Sequence, residues 1–259
     1  MRSLENLKVL HSTMYRTSNP ALNDSTFTIQ DLVQEKMTIQ GVAEKGFITL
    51  AVMLTAGLSV FGLFITGNAE MAMTLSIVGW LAGLIFFFVM IFSGLADNPV
   101  AVLTYAALQG LFLGGLTTMF EAFYPGIAIQ AFVLTAGVFG TMLVIYRMGL
   151  IPVNDNTRII LFSAMGGVFI IYMLSLVLSL FGVGIPFIHD STPIGIGFSL
   201  FVIALGAYCL ACDFEFIEQG VENGAPKKYE WRAVFGLLVT LVWIYLEMLR
   251  LLAKLQSRR

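Results

Sequence analysis

Seven apolar runs constrain this chain more than any other feature. They lie near Phe47–Thr66, Leu75–Gly94, Pro99–Phe120, Ile127–Tyr146, Ile159–Phe181, Pro193–Cys212 and Ala233–Leu252. A helix rises about 1.5 Å per residue, so crossing a hydrocarbon core about 30 Å thick takes about 20 apolar residues, and every run is that long. Lipid offers no partner to backbone N–H and C=O groups, so only helices and closed barrels cross it. Barrel strands alternate polar and apolar residues, whereas stretches such as Leu84–Phe92 (LIFFFVMIF) are continuously apolar. The expected fold is an all-α bundle of seven transmembrane helices in contact with the lipid bilayer.

Composition agrees. Hydrophobic residues make up 58% of the 259 and charged residues only 12%, against about 25% charged in soluble domains. The net charge of −2 leaves no polybasic surface for nucleic acid. Residues 1–46 contain no apolar segment of the signal-peptide kind, so no cleaved leader is expected. The sequence divides into a polar tail over 1–27, an amphipathic pre-membrane helix over 28–46 opened by a cap at Thr28–Asp31, which is either a surface helix or a simple extension of the first span, and the seven-helix domain over 47–255.

Lysine and arginine set the orientation. They occupy the N-terminal segment (Arg2, Lys8, Arg16, Lys36, Lys45), the fourth connection (Arg147, Arg158) and the sixth (Lys227, Lys228, Arg232), and are absent from the first, third and fifth. The N-terminus and even connections are therefore expected in the cytoplasm. Seven spans then put Arg250, Lys254, Arg258 and Arg259 near the outer side, against the rule; a re-entrant last helix with six full spans would remove that conflict. Seven is preferred, because Ala233–Tyr245 is as apolar as the other runs. Gly79-xxx-Gly83 and Gly110-xxx-Gly114 suit close helix packing. The tetrapeptide Leu-Thr-Ala-Gly recurs at Leu54–Gly57 and Leu134–Gly137, as a repeat of three helices and three would require.

No enzyme signature is present. The two histidines, His11 and His189, fall outside the apolar runs, and neither a zinc helix nor a phosphate-cradling loop occurs. Cys209 and Cys212 have redox spacing but no cationic neighbour in an apolar run, and read as small packing residues rather than a disulfide framework. The chemistry rests on acids. Asp213 closes the sixth run, followed by Glu215, Glu218 and Glu222, which read as solvated loop charges. Glu247 lies well inside the last run, with Arg250 three residues on as a candidate ion-pair partner. A carboxylate at membrane depth costs about 2.5–3.5 kcal/mol on insertion scales, so it should face protein or water. Glu247 is either held by Arg250 alone or set against Asp213 in a dry bundle, where two carboxylates would share a proton that Ca²⁺ displaces.

Three stretches, RTSNPALNDSTF, AYCLACDFEFIEQG and LVTLVWIYLEMLRLL, resemble the Bax inhibitor-1 family, in particular a bacterial branch. That resemblance implies a central last helix wrapped by six others. It also implies a pH-sensing pair of acids on helices six and seven, here Asp213 and Glu247, which gates a passive calcium leak in the bacterial plasma membrane. Ca²⁺ and H⁺ would be the ligands, with no resident cofactor. A non-conducting regulator of a membrane protease or another membrane-protein partner is the alternative. Two departures stand out: the second acid is glutamate where better-known members have aspartate, and the Phe92–Leu103 region lacks the arginine that latches the first acid there.

Overall fold

The computed structural model describes residues 35–151, 153–182 and 190–258. The expected tail over 1–27 and the Thr28–Asp31 cap lie outside these. Seven helices are long and apolar enough to cross a membrane: α1 (Ile39–Ile65), α2 (Ala69–Ser93), α3 (Pro99–Phe123), α4 (Ile127–Arg147), α5 (Asp155–Leu180), α6 (Pro193–Glu222) and α7 (Tyr229–Gln256). No re-entrant segment replaces the last span. No strand occurs among the described residues, only an isolated bridge between Lys36 and Pro226.

Local chemistry marks the ends. Asn98 caps α3 through its side chain with Pro99 at the first helical position, and Thr192 does the same for α6 ahead of Pro193. Asn154 and Thr157 bond reciprocally to open α5. Gly224, at φ +68, ends α6: its N–H bonds the Val221 carbonyl, and Ala225 N–H bonds that of Gly220. This double bond satisfies carbonyls the helix leaves free, and it needs a left-handed residue.

α7 is the centre. Of its most apolar window, 61% is buried, against 11% for α1. It packs on α1, α3, α4 and α6, and Phe235 on it is sealed between Phe87 and Tyr105. α1 and α3 approach through their glycines: a Cβ on Gly57 would lie 3.2 Å from the Gly110 carbonyl oxygen, and one on Gly114 would lie 2.7 Å from Gly57 Cα. Gly79 is equally crowded by α3, with Phe112 N at 2.8 Å. The second Leu-Thr-Ala-Gly behaves differently, for nothing lies within 4 Å of a Cβ on Gly137.

Three expected boundaries change. From Glu35, where description begins, the pre-membrane segment is not a separate helix: Glu35–Thr38 run extended, and the helix from Ile39 is the first turns of α1, capped by Thr38. The extended strap pairs instead with the sixth connection, Met37 N–H on the Ala225 carbonyl and Lys227 N–H on that of Glu35, both at 2.7 Å. Second, α6 runs on through its acids to Glu222, leaving only 223–228 as connection, because Phe214, Phe216 and Ile217 keep an apolar face on the bundle. Third, α5 begins before Arg158, which is buried.

The strap, the second connection and the sixth share one end of the bundle. Lys45 pairs with fully buried Glu230, Arg232 with Asp97 at 2.5 Å, and Lys227 with Glu35 at 2.5 Å. The start of α6 and the end of α7 meet at the other end, through Ser191 and Ser257.

Candidate functional site

The site is a polar seam between the antiparallel helices α6 and α7. Asp213, Gly206 and Ser199 recur every seven residues on α6, as do Thr240, Glu247 and Lys254 on α7. Seven residues are close to two helical turns, so each set lines one face at levels about 10 Å apart. The short connection brings the sets into register. Thr240 Oγ1 donates to Asp213 Oδ2 at 2.7 Å, and two levels on Lys254 Nζ donates to Ser199 Oγ and the Gly195 carbonyl, both at 2.9 Å. Gly206 faces the middle level, where Glu247 stands and where Ile244 fills the space beside the glycine.

Both acids are interior, each 1% exposed. Asp213 is thus no boundary residue. Its bond to Thr240 sets it two turns from Glu247 along α7, nearer the strap end, so the two carboxylates enter the seam at different levels. Unequal arms of the hairpin cause this: thirteen to fourteen residues separate Asp213 and Thr240 from its midpoint, and about twenty separate Glu247.

Glu247 is held from one side. Its Oε1 accepts from Tyr172 Oη on α5 at 2.9 Å and from Arg250 Nη1 at 2.6 Å, and the guanidinium also stacks 4.7 Å from the Tyr172 ring. Its Oε2 is buried with no hydrogen-bond partner among the described residues. A buried oxygen of that kind costs about 1–3 kcal/mol unless something reaches it. Arg250 is 41% exposed and leads the pair toward the outer end.

Sequence reasoning passed over Arg158. Counted as a connection charge, it sits in the first turn of α5, 3% exposed, above Leu161, and within electrostatic reach of Cys212, the neighbour of Asp213. The signal was available: Asn154 and Thr157 are a capping pair, and a helix opened there turns Arg158 inward with Leu161. Glu215 and Glu218 are likewise not simple loop charges. Tyr146 Oη on α4 donates to both, at 3.0 Å to Glu215, and Gln219 Nε2 donates to Glu215 at 2.6 Å. Cys209 and Cys212 are buried and packed on Leu161, and Cys209 Sγ also meets Met165 Sδ.

Among the described residues no three His, Cys, Asp or Glu side chains gather to hold a metal. Ca²⁺ takes six to eight oxygens, so the seam offers it single carboxylates with hydroxyl neighbours rather than a cage.

A family model described as Bax inhibitor 1 like matches residues 19–257, nearly the whole chain. The chain belongs to that family. No curated protein and no solved structure matches it. As a Bax inhibitor-1-like protein it has the central last helix that the resemblance implied. Its departure at the second connection has a structural counterpart: the charge there is Asp97, and the arginine facing it, Arg232, belongs to α7.

Proposed function

We propose that this Bax inhibitor-1-like protein is a non-enzymatic, proton-sensitive passive cation leak, with Ca²⁺ as cargo, in the bacterial plasma membrane with its strap end in the cytoplasm. The observation that carries the reading is Glu247: a carboxylate buried at membrane depth on the central helix, with one oxygen left open to a proton or a cation. Asp213 supports it as a second station on the same seam, so a cation would move between carboxylates at two levels instead of binding a single pair. Protonating either carboxylate removes the charge that draws the ion inward, and metal binding in turn requires the deprotonated ligand. The seam would then be open to Ca²⁺ only when Asp213 and Glu247 are charged.

Purified protein in liposomes tests this. Wild type should pass Ca²⁺ with a rate that changes with pH, and Asp213→Asn or Glu247→Gln should flatten that dependence. If both variants keep the wild-type profile, the acids are structural and Glu247 is held only by Tyr172 and Arg250. Protein that passes no Ca²⁺ at any pH would favour the non-conducting regulator instead.

A further inference from the structure

A cavity of about 380 Å³ opens sideways between α1 and α4. Its floor is the central helix itself, at Val234, Leu237 and Leu241, and its walls include Leu50 of α1 and Leu143 of α4. The ring of outer helices therefore has a window onto α7 in the half of the bundle nearest the strap. Phe47, 76% exposed at the rim, marks the lipid-facing surface on which it opens. Gly46 lines the window, and nothing lies within 4 Å of a Cβ placed there, so the glycine leaves the space empty.

The mouth is polar and carries both signs. Arg147, in the last turn of α4, is exposed and makes no ion pair among the described residues. Glu218 of α6 lines the same mouth, with its Oε2 bonded by Tyr146. An apolar shaft entered from within the bilayer suits an acyl chain, and its volume lies in the range of pockets that hold small ligands. A guanidinium and a carboxylate lining one mouth match the phosphate and the ammonium of a single headgroup. We infer that the window is a binding site for a zwitterionic aminophospholipid, one acyl chain along α7 from Val234 to Leu241, its phosphate on Arg147 and its ammonium on Glu218.

This site does not depend on whether the seam conducts. Purified protein is titrated with phosphatidylethanolamine or with phosphatidylglycerol of the same chains, and bound lipid is read by native mass spectrometry. Wild type should retain one phosphatidylethanolamine in preference to phosphatidylglycerol. Gly46→Leu, which fills the shaft, and Arg147→Gln, which removes the phosphate contact, should each weaken retention at least about tenfold while thermal stability in detergent stays unchanged. If Gly46→Leu proves unstable, Ala43→Leu fills the same shaft from one turn away. Equal or greater retention of phosphatidylglycerol by wild type would overturn the assignment, as would undiminished phosphatidylethanolamine retention in both the filled-shaft and Arg147→Gln proteins.

Discussion

Glu247 makes its bonds through one oxygen, and the donors differ in kind. Arg250 brings charge from the outer edge, whereas the Tyr172 hydroxyl brings a neutral donor from α5. Removing the hydroxyl alone should cost about 1 kcal/mol, the usual worth of one such bond. Tyr172→Phe is therefore expected to fold and to move the pH midpoint of Ca²⁺ flux without abolishing flux; an unchanged midpoint would separate Tyr172 from the titrating group. Asp97 offers a second residue-scale test, outside the spans. Burial pushes its carboxyl above the ordinary value, and Arg232 offsets this only in part. A carboxyl whose folded value exceeds its unfolded one adds stability that is fully present below the unfolded value and is lost as pH rises through the folded one. Asp97→Asn keeps an acceptor for Arg232, so at neutral pH it should change stability by less than about 1 kcal/mol. Wild type should gain on the variant as pH falls toward about 4. Detergent melts across that range check the sign. Glu247 was legible at this scale because a lone acid in an apolar run has no inexpensive solvated alternative. Arg158 was not, since a charge at a run's edge reads equally as loop or as helix.

Between elements, the shortest approaches belong to glycine. Gly110 and Gly114 let α3 lie against Gly57 of α1, where any side chain would meet backbone that cannot yield. Gly110→Val should cost about 1–3 kcal/mol or prevent assembly, in line with overpacking elsewhere. Gly137→Ala, in the twin tetrapeptide, should be close to neutral. Comparable melting temperatures for the two would show that α1 and α3 can part without loss. The small-residue spacing made this contact readable in advance, but it did not say which helix each motif meets. The boundaries were harder. Polarity alone ended α6 at Cys212, yet its acids find Tyr146 and its apolar face continues, so the helix runs on for ten residues. The strap was unreadable because its partners, at Ala225 and Lys227, are remote in sequence. Its anchor is the fully buried Glu230, which accepts from Lys45 and Thr38. Breaking a buried pair from one side leaves an uncompensated charge, so Glu230→Ala should destabilise by about 3 kcal/mol or more. Lys45→Ala, which leaves the buried carboxylate with only Thr38 and no counter-charge, should do no better.

For the whole molecule, the open question was seven spans against the positive tail. The bundle eases that conflict without moving a helix. Arg250 is committed to Glu247 and Lys254 to α6, so neither acts as a loop charge. With the strap end inside, a cysteine at Thr192 should be shielded from cytoplasmic reagents and one at Lys227 open to them; the native cysteines are buried and add little background. Labelling of both positions from one side would refute the arrangement. The span number and the central helix were readable from the runs and the family phrases. The registration of the hairpin was not, because it depends on where α6 stops. The central position of α7 has a further consequence, for biogenesis. The helix that the other six surround leaves the ribosome last, and Lys45 waits 185 residues for Glu230, about 10 to 40 s at ordinary elongation rates. Throughout that interval the nascent chain holds Ser199 and Lys45 inside or beside lipid before Lys254 and Glu230 are made. A ribosome stalled before Tyr229 should therefore release a product for the quality-control proteases rather than a smaller working bundle.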